Sequence, residues 1–220
     1  MKLYSYWRSS AAYRVRIALN VKGLTYALIP VHLVEDGGQQ HSPEYRQMNP
    51  QQLVPTLLDG ERVVRQSMAI IEYLDETYAE DIPLLPATAR ERAHVRALAQ
   101  LVACDIHPLN NLRVMQFLER EFSVPPVERE RWSRHWMAEG FAAMETLLDE
   151  SPSTGRCCEG DQPGLADICL IPQVYNARRF GLDMTAFPII ERIEQYCLGL
   201  PAFAAAQPHQ QPDAPLQVAQ

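Results

Sequence analysis

The chain has 220 residues, 47% of them hydrophobic, enough for a substantial core in one large domain or two small ones. A formal charge of −7, with no lysine- or arginine-rich tract to offset it, argues against general nucleic-acid binding. Five scattered cysteines, odd in number and without metal-ligand spacing, exclude an obvious disulfide framework or zinc site, and no apolar run reaches membrane-spanning length.

In chain order, "KLYSYW" has strand composition, and the helix predicted from Ala11 to Val21 puts Val15, Ile17, Ala18 and Leu19 on one buried face. "YALIPVHL" reads as a second strand. "LVPTLLDGERVVRQS" reads as a hairpin that turns at Asp59-Gly60 and returns through Arg62 to Arg65, and a helix follows from Ser67 to about Tyr78. Strand-helix-strand followed by hairpin-helix makes a mixed-sheet α/β domain over residues 1–82, near the smallest size that folds alone. "YAEDIPLLPATAR" breaks this pattern with proline and acidic residues, and helical periodicity dominates beyond it, as in "RERAHVRALAQLVACDI". An all-helical domain is expected over 88–212. The proline- and glutamine-rich end, 213–220, is expected to be a mobile tail. No leader is recognisable behind Met1, and the free-thiol pattern fits a reducing, cytoplasmic setting with no membrane partner.

Three places in the first domain offer chemistry to one ligand. Ser9 and Ser10 open a helix, where amide N–H groups and the macrodipole attract an anion such as a thiolate or carboxylate; a serine that only caps the helix reads the same way. Val54-Pro55 joins a loop to a strand, and a cis bond there would turn the backbone of Val54 toward an extended peptide. Gln66 and Ser67 open another helix, suited to a carboxylate. An extended ligand with a thiol in its middle and carboxylates at its ends would use all three, and glutathione has that form.

"RSSAAYRVRIAL", "DGGQQ", "NPQQLVPTL", "QSMAIIEYL", "CDIHPLNNLR" and "PQVYNARRFGLDM" together resemble the zeta class of glutathione transferases, from Met1 to about Asp213. The resemblance implies a thioredoxin-like N-terminal domain, an all-α C-terminal domain completing the substrate site, a cis Val54-Pro55 bond and a homodimer. It implies that Ser9, Ser10, Ala11 and neighbours through Arg14 line the thiol site. Gln40, Val54 through its backbone, Gln66 and Ser67 would hold the rest of the tripeptide, and His107, Asn111 and Arg113 would add contacts from the helical domain.

Ala11 stands where the class commonly has cysteine, so the reactive sulfur is expected to arrive with glutathione, its ionised form favoured by Ser9 or Ser10. The implied reaction is cis-trans isomerisation of maleylacetoacetate, a diketo acid with two carboxylates, by thiolate addition, bond rotation and elimination. Maleylpyruvate is the alternative substrate, favoured by the Ala11 departure and by basic Arg113. General conjugation of electrophiles and non-catalytic glutathione binding are the other readings. Arg8, Arg113 and Arg179 are the candidate carboxylate and enolate partners, because a guanidinium donates two parallel hydrogen bonds. Arg113 and Arg178 read equally as surface salt bridges, and Arg14 and Arg16 as structural ion pairs. Asp167 should cap the helix behind Gly164, Cys157 and Cys158 read as structural thiols, and Trp132 and Trp136 as core.

Overall fold

A computed structural model describes residues 1–79 and 82–215, in two compact units: Met1–Pro83 with Leu200–Gln220, and Leu84–Gly199. The first unit holds strands β1 (Lys2–Ser5), β2 (Ala27–Pro30), β3 (Thr56–Asp59) and β4 (Arg62–Arg65), in the spatial order β2-β1-β3-β4. β1 and β2 are parallel, so a crossover must join them, and α1 (Ser10–Val21) is that crossover. β3 runs antiparallel to β1 and returns as β4 through the turn at Gly60, whose φ of +58° is the left-handed conformation that glycine adopts at least cost.

Register decides which segments meet. Ser5 pairs with Pro30, Tyr4 with Thr56, and Thr56 with Arg65. One end of the sheet therefore carries the loop from β1 into α1, the segment after β2, the residues preceding β3, and the step from β4 into α3 (Ser67–Thr77). α2 (Pro43–Met48) lies within the connection from β2 to β3. Leu3 and Leu57, cross-strand partners, are fully buried beneath this arrangement.

α1 is buried almost all round, from Ala12 through Leu19, rather than on the single face its apolar spacing suggests. It packs against α3 and against α9 (Pro201–Ala206), so no side of its middle reaches solvent. Arg16 is fully buried there. Its Nε donates to the Ala206 carbonyl (3.0 Å), Nη1 to Ser5 Oγ (3.2 Å) and the Tyr6 carbonyl (3.4 Å), and Nη2 to the Trp7 carbonyl (3.0 Å). Removing a guanidinium from water costs several kcal/mol, and here neutral oxygens around its five-donor fork offset that cost.

The same contacts correct the expected domain limits. Residues 200–212 group with the first unit instead of the helical one, because the α9 segment supplies acceptors to α1: Asn20 Nδ2 also donates to the Ala202 carbonyl at 3.0 Å. Asp213 and Ala214, expected in a mobile tail, are tied in. Asp213 Oδ2 accepts the Trp7 N–H at 2.8 Å, and Ala214 packs on the cluster of Tyr6, Trp7, Val31, Tyr45 and Val54. The remainder of that expected tail, 216–220, lies outside the described residues.

The second unit is helical: α4 (Ala89–Gln100), a π turn (Leu101–Ile106), α5 (Leu112–Phe122), α6 (Pro126–Glu150), α7 (Leu165–Arg179) and α8 (Pro188–Leu198). Gly140 lets α6 close on the π turn, since a Cβ there would overlap the Ile106 side chain. α7 begins with the expected carboxylate cap: Asp167 accepts the N–H of Gly164 (2.9 Å) and of Cys158 (2.8 Å). Glycine at 164 supplies no hydroxyl, and a Cβ there would press on the Leu84 carbonyl. Among the described residues, no helix is long and apolar enough to cross a membrane.

Candidate active site

Ser9 is the N-cap of α1, with extended backbone (φ −70°, ψ 117°) and its Oγ accepting the Ala12 N–H at 3.2 Å. The capping role weighed from sequence is therefore real. It does not exhaust the residue, because an accepting hydroxyl still has its own proton to donate. Tyr13 N–H goes to the Ser9 carbonyl at 2.8 Å, and the amides of Ser10 and Ala11 begin the helix without intrahelical acceptors. Ser10 is buried. Arg8, just before them, is exposed, its guanidinium 5.3 Å from the Trp7 ring centroid.

The start of α3 stands beside that of α1. Arg14, buried on α1, donates from Nη1 to Ser67 Oγ at 3.3 Å. This contact joins the two helix starts. Gln66 occupies the cap position of α3 with φ 70° and ψ 122°, a conformation costly for a residue with a Cβ and one that concentrates at ligand clamps. Its Nε2 donates to Gln51 Oε1 at 2.7 Å, which holds it there. Ser67 is buried, and the first-turn amides of α3 point out past it.

The Val54-Pro55 bond is cis, and Val54 is buried. The Leu53 carbonyl just before it is pinned by Tyr45 Oη and Asn49 Nδ2, each donating at 2.7 Å. Gln40, buried in the turn after β2, points its amide inward: Nε2 donates to the Leu33 carbonyl (3.3 Å) and contacts His41 Nε2 (3.1 Å). Gly38 makes room for that amide, since a Cβ would clash with it. Gln40 Oε1 is buried with no partner among the described residues, an orphaned acceptor within the same end of the sheet.

In the helical unit, the π turn at Leu101–Ile106 runs into His107, which is half-buried. Such turns often mark functional positions. Asn111 caps α5 by accepting the Arg113 N–H at 3.1 Å, and the Arg113 side chain is exposed. Arg178 and Arg179 part company. Arg178 donates to Glu194 and Glu191 at distances from 2.6 to 3.0 Å, and its hydrogen bond to Glu194 raises its pKa further. Arg179 is held by Asn176 Oδ1 (2.9 Å) and lies over the Phe180 ring, 4.1 Å from the centroid.

All five cysteines are free thiols. Cys157 Sγ, Cys197 Sγ and an Asp167 oxygen lie within 4.8 Å of one another in the buried interior. Burial, then the Asp167 charge, holds the Cys158 thiol well above its usual range; the Cys157 hydrogen bond and burial do the same for Cys197. Cys158 and Cys197 are buried thiols that pack in the interior. Trp132 and Trp136 are half-buried and stacked edge to face at 5.7 Å, with Trp132 Nε1 donating to the Leu109 carbonyl at 2.8 Å.

A small mixed sheet whose one end gathers two hydroxyl-bearing helix starts and a cis-proline, in a chain with a separate helical unit, defines the class as a glutathione transferase. Residues 3–81 match the family described as "Glutathione S-transferase, N-terminal domain". The chain is 51% identical over 212 residues to a probable maleylacetoacetate isomerase of Vibrio cholerae, covering 96% of this chain and 97% of that one. Among solved structures, a holo maleylpyruvate isomerase described as a bacterial zeta-class glutathione transferase superposes with a TM-score of 0.95 at 46% identity, over 98% of this chain and 100% of that one. The maleylacetoacetate isomerase of Methylobacterium extorquens AM1, solved with bound malonate and glutathione, gives 0.94 at 44% identity, over 98% and 100%. The chain belongs to the zeta-class glutathione transferase family.

Proposed function

We propose that this protein is a glutathione-dependent cis-trans isomerase acting on maleylacetoacetate, with maleylpyruvate as the second candidate. The observation that carries the reading is the pair of helix starts at one end of the sheet, joined by the buried Arg14–Ser67 bond and free of any protein carboxylate or thiol at Ala11. Glutathione fits them. The carboxylate of its γ-glutamyl end suits the first-turn amides and hydroxyl of Ser67 beside strained Gln66, its peptide suits the backbone of Val54, and the orphaned Oε1 of Gln40 is an acceptor awaiting a donor.

Bound glutathione supplies the thiolate that adds reversibly to the activated double bond, letting it turn while single. The chain's part is electrostatic. Ser9 and Ser10, with the dipole of α1, favour the thiol's ionised form. Arg8, Arg113 and Arg179 take the substrate's carboxylates and the charge that develops on its carbonyl oxygen. His107 and Asn111 are assigned to glutathione. The malonate held by the Methylobacterium relative supports a dicarboxylate substrate, and 46% identity to a maleylpyruvate isomerase keeps the shorter diketo acid in play. A homodimer in the cytoplasm is part of the same proposal.

The test incubates the protein with each diketo acid at substoichiometric glutathione and follows the fumaryl product. Many turnovers per glutathione are expected; no turnover of either acid sinks the isomerase reading, and stoichiometric conjugate release would favour a transferase. Arg179→Ala should raise KM about tenfold with little change in kcat, since it removes a carboxylate partner.

A further inference from the structure

The segment that returns to the first unit fastens the loop carrying Arg8 and Ser9. The Trp7 N–H donates to Asp213 Oδ2 at 2.8 Å, and the Trp7 ring lies 5.8 Å, centroid to centroid, from that of His209. In the next peptide, the Trp7 carbonyl accepts from Arg16 Nη2 at 3.0 Å, and Arg16 is itself tethered to the Ala206 carbonyl. The Tyr6 carbonyl accepts the Ser9 N–H at 3.0 Å. Every peptide that sets the path into α1 is thus held, and the Trp7 peptides take charged partners on both sides, a carboxylate at the N–H and a guanidinium at the carbonyl. Asp213 Oδ1 is buried with no partner among the described residues, so the contact with Trp7 is the bond this carboxylate makes at the loop.

We infer that Asp213 is a positioning residue for the thiol site: by holding the Trp7 peptide it fixes the Ser9 and Ser10 donors against which the glutathione thiol ionises. The inference rests on the glutathione-dependent activity proposed above. A hydrogen-bond donor stabilises a thiolate only when aimed at it, and a supporting contact that lets the donor drift by an ångström forfeits much of that effect. The carboxylate's own charge works the opposite way, since an anion near a thiolate raises the thiol's pKa. Geometry and charge therefore predict opposite signs, and two substitutions separate them. Asp213→Ala removes both acceptor and charge, whereas Asp213→Asn removes the charge and keeps an acceptor for the Trp7 N–H.

The experiment titrates the ultraviolet absorbance of the thiolate in the glutathione complexes of the full-length wild type, D213A and D213N. Positioning predicts that the bound thiol's pKa rises by about one unit in D213A and returns to the wild-type value or below in D213N. Glutathione affinity should fall by less than about tenfold in D213A, because the contacts assigned at Ser67 and Val54 are untouched. If both variants leave the pKa at or below wild type, the residue acts through charge or not at all, and the inference is overturned. Should D213A fail to fold by circular dichroism, D213L, which also has neither acceptor nor charge and is closer to aspartate in size, takes its place with the same expectation. A wild-type complex with no thiolate at neutral pH would instead overturn the activity proposed above.

Discussion

At the start of α7, Asp167 is wholly buried and takes the N–H groups of Gly164 and Cys158; at the start of α3, the cap is Gln66, whose amide turns aside to Gln51 while a buried arginine supports Ser67 from below. Both helices present the same first-turn amides and the same partial positive charge. The difference is what meets them. A helix start filled by the protein's own carboxylate is closed and serves stability. One furnished with a hydroxyl, a guanidinium and a strained cap keeps its positive potential for an anion brought from outside.

Asp167→Ala tests the closed start and should have the largest effect. It leaves two buried N–H groups unmet and should cost about 3 kcal/mol in chemical denaturation, with the folded fraction's affinity for glutathione unchanged. A loss below about 1 kcal/mol would mean that water or relaxation replaces the carboxylate. Ser67→Asp makes the open start resemble the closed one by giving α3 its own anion beside Arg14. Glutathione affinity, read by calorimetry, should fall about a hundredfold while the melting temperature rises; unchanged affinity would remove α3 from the ligand site.

Ser9 combines the two uses, and its structural share can be measured. Ser9→Ala should lower stability by about 1 kcal/mol through loss of the cap to Ala12, whereas Ser10→Ala should stay within about 0.5 kcal/mol. Equal losses would contradict the capping geometry. Asp59 supplies the smallest contrast, a carboxylate at the surface rather than in the interior. The Tyr78 phenol, joined by Tyr73, holds its pKa below the usual carboxylate range, and the Tyr78 phenol is itself pushed up to about 12 by that bond. Asp59 thus adds stability above the unfolded carboxylate pKa that disappears as pH falls through its lowered folded value. Tyr78 adds stability below pH 10.0 that disappears as pH rises toward about 12. Asp59→Asn should flatten both limbs of the stability profile, and parallel curves for wild type and variant would exclude the linkage.

Most of the first unit was legible because its signals are local. The hairpin turn at Asp59-Gly60, the return through Arg62–Arg65 and the helix beginning at Ser67 stand where the pattern puts them. The helix after Ser9 does too, but its burial does not follow from its own spacing. Arg14 and Arg16 read as structural ion-pair residues, and the sequence does not show their hydrogen bonds to Ser67 and the Ala206 carbonyl, whose residues lie some 50 and 190 positions away. Distance also hid Asp213, whose proline- and glutamine-rich surroundings suggest a free tail. The π turn before His107 was invisible for another reason, since over a single six-residue turn no residue type marks the wider winding. Of the two neighbouring arginines on α7, the resemblance singles out Arg179 and leaves Arg178 open to a surface salt bridge; the carboxylates of α8 show that Arg178 is paired.

The bond from Arg16 to Ala206 orders events in time. A ribosome delivers residues 1–83 long before Ala206 leaves the exit tunnel, so the nascent sheet and α1 must wait, with a guanidinium lacking its last acceptor, until the intervening helices have been made. The part of the chain synthesised first is the part completed last. Products of early termination in the α9 segment would carry every assigned glutathione residue and still lack the contacts that seat the loop holding them.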